Sequence, residues 1–159
     1  MLASSQRSIQ ILSPYFLPDA SVRRELALAV ARDVEVTLIV PGIPNNHQIA
    51  RRASRRHYGE LHTVGITIYE YQPGMNHAKV LIVDGIWTVL GSTNFDNRSF
   101  GLNDEVNIAL MNCALAARLQ QDFWTDLAAS KAVTLLEWSR RPVLERVLAF
   151  LGIALERQK

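Results

Sequence analysis

Two apolar runs, Ala78 to Val83 and Trp87 to Leu90, flank Asp84-Gly85, and this arrangement restricts the fold more than any other feature of the chain. Asp-Gly supplies the positive-φ positions of a tight hairpin turn, so the two runs are expected to pair antiparallel. Elsewhere, strand signals alternate with helical ones. Ser8 to Ser13 is a short β-prone run closed by Pro14. Asp19 or Ser21 caps a helix predicted through Ala31, because Val22, Leu26, Ala29 and Val30 fall on one helical face. Val34 to Val40 and Ile66 to Tyr71 read as strands, ended by Pro41-Gly42 and Pro73-Gly74. Between them, Asn46 to Val64 reads as a helix that stops at Gly65. Glu105 to Met111 alternates like a further strand, a helical pattern resumes at Ala114, and an amphipathic helix is expected from Pro142. Strands interleaved with helices predict an α/β layered domain, and the late hairpin makes its sheet mixed.

Bulk properties agree with one domain and exclude several classes. The chain has 159 residues, of which 48% are hydrophobic and 20% charged, as in a globular protein with an ordinary core. Ser130-Lys131 is the only soft boundary, dividing residues 1–130 from a helical tail over 131–159. The single cysteine, Cys113, excludes an intrachain disulfide and a multi-cysteine zinc site; it is expected to be buried. His47, His57 and His62 lack carboxylate or cysteine neighbours at metal spacing and read as structural, so neither metal nor cofactor is expected. No apolar run reaches the roughly 18 residues needed to span a bilayer, and Glu145 and Arg146 interrupt the stretch from Val143 to Leu155. A net charge of +2 does not by itself imply nucleic acid. Arg51, Arg52, Arg55 and Arg56 form a local basic group that reads either as a solvated face or as a grip on anionic headgroups. Phe95, Phe100 and Trp87 are expected in the core or in a pocket wall.

The chemistry concentrates between Asn76 and Glu105. His77, Lys79 and Asp84 have the form H-x-K-x4-D. On a strand, His77 and Lys79 point to the same face, while Asp84 falls in the turn at the strand's end. An imidazole beside an ammonium suits a phosphate: the lysine neutralises non-bridging oxygens, and the ring attacks phosphorus or moves a proton. In Gly91-Ser92-Thr93-Asn94, Ser92 and Asn94 offer neutral donors to phosphate oxygens, and Gly91 permits close backbone approach. Glu105 is placed to accept a proton from the His77 ring and fix its tautomer. Each residue alone has a bland reading, as a surface charge, a turn or a loop; compatible spacing within 30 residues weakens those readings.

This block resembles the phospholipase D superfamily motif, H-x-K-x4-D followed by G-S-x-N, which His77, Lys79, Asp84, Gly91, Ser92 and Asn94 match without departure. SPYFLPD at Ser13 to Asp19, ITIYEYQPGMNHAK and NFDNRSFGLNDE further resemble the C-terminal half of bacterial cardiolipin synthases. The resemblance implies a phospholipase D-like mixed β-sheet flanked by helices on both faces. It also implies metal-independent, two-step transfer through a phosphohistidine, with no cofactor and with phosphatidylglycerol, an anionic phospholipid, as substrate. It further implies a peripheral place on the cytoplasmic side of a bacterial inner membrane. One histidine cannot be nucleophile and leaving-group acid in one step, so a second H-x-K-x4-D half is required. The chain is expected to be the second half of a longer enzyme, pairing in cis; a homodimer pairing in trans is the alternative. A homodimeric nuclease or phosphodiesterase using the same motif remains open, though no basic-aromatic stripe marks a nucleic-acid track. A half-domain that only binds phosphate or a partner also remains open.

Overall fold

The computed structural model describes residues 1–42, 54–55 and 57–140. Its centre is a seven-stranded sheet. β1 (Ser8–Leu12), β3 (Glu35–Pro41) and β4 (Thr67–Tyr71) run parallel to one another. β5 (Val80–Val83) runs against β1 and turns into β6 (Trp87–Gly91), which pairs antiparallel with β8 (Asn107–Met111) at one edge. β9 (Ser130–Ala132) forms the other edge, antiparallel to β4. Beside the main sheet, β2 (Phe16–Leu17) and β7 (Phe95–Asp96) form a short parallel ladder, and the one-turn helix α3 (Asn97–Gly101) follows β7.

Period-two alternation assigns the two faces. Ile9, Ile11, Val36, Leu38 and Val83 join Leu26 and Ala29 of α1 (Ala20–Val30) in one cluster, which also takes in Tyr58 and Leu61 of α2 (Tyr58–Thr63). Leu12, Ile39 and Ile82 point the other way and meet Ala116 and Phe123 of α4 (Cys113–Ala128). Helices therefore cover both faces of a mixed sheet, as the sequence implies. α1 begins where capping chemistry predicts: Asp19 accepts the backbone N–H of Val22 at 2.8 Å and the hydroxyl of Ser21 at 2.6 Å. The hairpin turn is the one that Asp-Gly favours, with φ of +57° at Asp84 and +68° at Gly85.

Three features depart from the sequence reading. The division after residue 130 falls inside β9, where Lys131 pairs with Glu70, so the start of the expected tail belongs to the sheet. From there α5 (Leu135–Ser139) brings the Trp138 ring over Gly59, so close that an added Cβ would collide with it, and its Nε1 donates to the Arg55 carbonyl at 2.9 Å. Cys113 is exposed rather than buried, because it opens α4 directly after the edge strand and the helix first reaches the sheet at Ala116. Arg55 is not a surface cation. Its guanidinium pairs with the buried Glu70 carboxylate at 2.5 Å and lies 5.6 Å from the Tyr58 ring centre. His47, Arg51, Arg52, Arg56 and the segment from Pro142 to Leu155 lie outside the described residues.

Removing one partner of a buried pair leaves the other charge desolvated, at a cost of roughly 3–5 kcal/mol, whereas replacing both by apolar groups costs far less. Glu70→Ala is therefore expected to lower the urea midpoint strongly, and Arg55→Met with Glu70→Leu together much less. Equal losses would contradict the pairing.

Candidate active site

Because β5 runs against β1, its first residue, Val80, stands opposite the last of β1, Leu12. The residues just before β5 therefore reach the carboxyl ends of the parallel strands, where open α/β sheets hold ligands. Lys79 continues the Leu81–Val83 side of the strand, the side covered by α1. Its Nζ donates to the His77 carbonyl at 2.8 Å and lies 2.9 Å from His77 Nδ1. The same Nζ lies 3.5 Å from His77 Nε2, so the ammonium rests against the ring and reaches both of its nitrogens. The imidazole is exposed and meets Tyr15 edge-on, with ring centres 6.3 Å apart. Partial burial lowers the Lys79 ammonium, the opposing charge of Glu105 counteracts this, and the net shift is below the usual lysine value.

The other wall comes from the end of β6 and the approach to β8. A Cβ on Gly91 would lie 2.7 Å from Asn107 Cα and closer still to the Val106 carbonyl and the Asn107 side chain. Only glycine lets the two strands meet this tightly. The contact brings Ser92 against Glu105: the Ser92 hydroxyl donates to the Glu105 carboxylate and accepts from the Val106 N–H at 3.0 Å. That hydroxyl first, then the Asn103 amide, holds the Glu105 carboxyl below its ordinary value. Asn107 grips Thr93 twice, its Oδ1 accepting from the backbone N–H at 3.4 Å and its Nδ2 donating to the hydroxyl at 2.5 Å. Asn94 donates to Ser99 Oγ at 3.3 Å, and its buried Oδ1 has no hydrogen-bond partner among the described residues.

His77, Lys79, Ser92, Asn94 and Glu105 thus belong to one corner of the molecule, and Lys79 and Glu105 act on each other electrostatically. Glu105 spends its hydrogen bonds on Ser92 and Asn103, while Lys79 meets the ring nitrogen expected to face it. Asp84 does not join this corner. It sits at the far end of β5, where its carboxylate accepts the N–H groups of Arg7 at 2.7 Å, Ser8 at 3.0 Å and Gln6 at 3.0 Å. Partial burial alone would raise this carboxyl, but the three N–H donors and Arg7 outweigh it and hold it below the ordinary value.

Sequence reading missed a support beneath His77. Asn76 donates through Nδ2 to Asp126 of α4 at 2.8 Å and accepts the Ala78 N–H on Oδ1 at 3.1 Å, bracketing the histidine. Asn76 carried a signal by its place in the motif; Asp126, 50 residues later, carried none. No group of His, Cys, Asp and Glu among the described residues has a metal-binding arrangement. The corner holds a cation, hydroxyl and amide donors and an imidazole, a set suited to bind and transfer a phosphodiester.

Residues 1–127 match a family model described as "Cardiolipin synthase, PLD-like domain". A cardiolipin synthase of Geobacillus sp. (strain WCH70) is 38% identical over 148 residues, covering 93% of this chain but only 29% of the relative. Among solved structures, a phospholipase D family member, Nuc from Salmonella typhimurium, superposes with a TM-score of 0.70 at 22% identity, covering 83% of this chain and 85% of that one. Phosphatidylserine synthase of Haemophilus influenzae Rd KW20 gives a TM-score of 0.70 at 17% identity, covering 98% of this chain and 40% of that one. At such identities the two structures speak to the fold alone.

Charge-assisted bonds of the kind Asp84 makes contribute about 1.5–3 kcal/mol when lost. Asp84→Ala is expected to destabilise the fold by about 2 kcal/mol in chemical unfolding. Since folding depresses this carboxyl, its stabilisation is complete above the unfolded value of about 3.9 and fades as pH falls through the lower folded value. The gap between wild type and Asp84→Ala should therefore close in acid; a gap that persists there would contradict the assignment.

Proposed function

The chain belongs to the cardiolipin synthase family of phospholipase D-like domains, and from that premise we propose that it supplies one half of a two-motif phosphatidyl-transfer site. The observation that carries the reading is the corner itself: Lys79 seated on His77 Nδ1, opposite Ser92 and Glu105. In this mechanism the arriving phosphate draws the Lys79 ammonium onto its non-bridging oxygens, freeing Nδ1. His77 enters the reaction as an imidazolium, its Nδ1 proton directed to Glu105 and its Nε2 proton available to the leaving alkoxide. One histidine of the paired site attacks phosphorus, forming a P–N bond as the P–O bond to glycerol breaks. The other protonates the departing alkoxide. The second histidine then takes the proton of the acceptor hydroxyl, the new P–O bond forms and the P–N bond breaks. The donor is phosphatidylglycerol (or phosphatidylethanolamine) and the acceptor is the glycerol hydroxyl of a phosphatidylglycerol, giving cardiolipin and the donor's headgroup alcohol, glycerol (or ethanolamine). In two-motif enzymes of this kind the second-half histidine is more often the acid and base, and His77 takes that role.

Two observations support a second half. The chain carries one H-x-K-x4-D motif and spans 29% of the length of the Geobacillus relative. Its edge strand β8 is exposed throughout, with Ile108 at 56%, Met111 at 65% and neighbouring Val106 at 74%. Apolar edges of this kind are normally covered. The phospholipid substrate puts the site at the inner face of the membrane. No helix among the described residues is long and apolar enough to cross a bilayer.

The test is cardiolipin formation on phosphatidylglycerol vesicles, read by mass spectrometry with and without an added first-half domain. Activity is expected from the combination. His77→Ala should reduce it about 1000-fold with folding unchanged. Retained activity in that variant, or DNA cleavage without lipid turnover by a dimer of the chain, would overturn the reading.

A further inference from the structure

A cleft of about 270 Å³ runs from Lys79 between α1 and the β5–β6 part of the sheet. Its lining is divided sharply by chemistry. Lys79, Thr93 and Asn107 supply the polar lining, and all three belong to the corner described above. Val22, Val80, Leu81, Val89, Phe95 and Phe100 form most of the remaining wall, without a charged group among them. Leu81 and Val89 are direct cross-strand partners, on the same face as Lys79. Phe95 is braced by Phe16, 5.6 Å away, and meets Phe100 edge-on at 6.0 Å, so one wall is a fixed aromatic surface. Leu2 also contributes, where Arg32 at the end of α1 donates to its carbonyl at 3.1 Å.

We propose that this cleft seats one acyl chain of the phospholipid whose phosphate meets Lys79. The inference rests on the lipid reading above and adds a hydrocarbon subsite to it. A phosphodiester joined to sugars would bring hydroxyls and polar bases against Leu81 and Val89, unpaired and desolvated. A bare headgroup would leave the walls unused. A fatty acyl ester satisfies both ends: anionic phosphate at the lysine and hydrocarbon along the sheet. At about 270 Å³ the cleft lies just below the usual range of ligand pockets, room for the first part of one chain and not for two. The second chain stays in the bilayer, and Phe100, 52% exposed, stands where the lipid enters.

The experiment follows Val and Leu methyl resonances while titrating dissolved monoacyl phosphatidylglycerols, from butanoyl to octanoyl, kept below micelle formation. Glycerophosphoglycerol, which has no chain, is the control. Each methylene reaching the wall should tighten binding about fourfold, with shifts at Val22, Leu81 and Val89. Affinity independent of chain length overturns the proposal. So do shifts confined to Ile108 and Leu110, which would mean that the chains adhere to the edge strand, or an absence of binding by octanoyl ligand. Val89→Trp fills the cleft and should erase the chain-length dependence. Phe100→Ser, at an exposed position, is a second variant that does not tax the core and should weaken octanoyl binding several-fold. Chain-length-independent affinity in a reconstituted enzyme that still makes cardiolipin sinks only the cleft. Chain-length-dependent binding without any cardiolipin sinks only the synthase reading.

Discussion

The Asp84 carboxylate gathers three successive backbone N–H groups, from Gln6, Arg7 and Ser8, and so pins the β5–β6 turn to the start of β1. Arg7 closes the loop by donating to the Asp84 carbonyl at 2.7 Å. With that end fixed, β5 has to run antiparallel to β1, and its first residues emerge where the parallel strands end. His77 and Lys79 reach the ligand-holding side of the sheet for this reason. An aspartate at the far end of the strand thus decides where the histidine stands, although it touches nothing there. The H-x-K-x4-D spacing is the length of one short strand with chemistry at one end and an anchor at the other.

The opposite wall depends on a steric condition. Gly91 lets β8 pass close enough for Glu105 to take the Ser92 hydroxyl and for Asn107 to hold Thr93. Glu105 and Lys79 then stabilise each other's charged forms across the site. Asn76, tied to Asp126, keeps the segment bearing His77 against α4. The same β6–β8 extension that completes the site also leaves it open to one side. Ile108, Leu110 and Met111 face solvent next to it, on the side where the proposed second half would pack.

Local signals carried much of this. Asp19 as a cap, Asp84-Gly85 as a turn and the alternation of β1 and β3 depend on chemistry within a few residues, and all three were legible. So was the grouping of His77, Lys79, Ser92 and Glu105, because strand periodicity and one hairpin bring them together. What escaped needed partners distant in sequence. β9 exists only because β4 offers an edge, and nothing in Ser130-Lys131-Ala132 announces a strand. Arg55 resembled its neighbours in a basic run until Glu70 was found buried beside it. Asp126 gave no sign that Asn76 would meet it. Cys113 looked like a core residue by type, but its position past the sheet edge decided its exposure.

The central claim is that His77, Lys79 and the Ser92 turn form one phosphate site, and it can be tested without a partner half. Inorganic phosphate would be titrated into the chain while the His77 imidazole and the Ser92 and Thr93 amides are followed by NMR. The account predicts that all three respond together with one affinity, and that Lys79→Ala removes the response while Asp126 and Gln10 resonances stay in place. Phosphate that perturbs none of them, or that acts unchanged when Lys79 is gone, would contradict it.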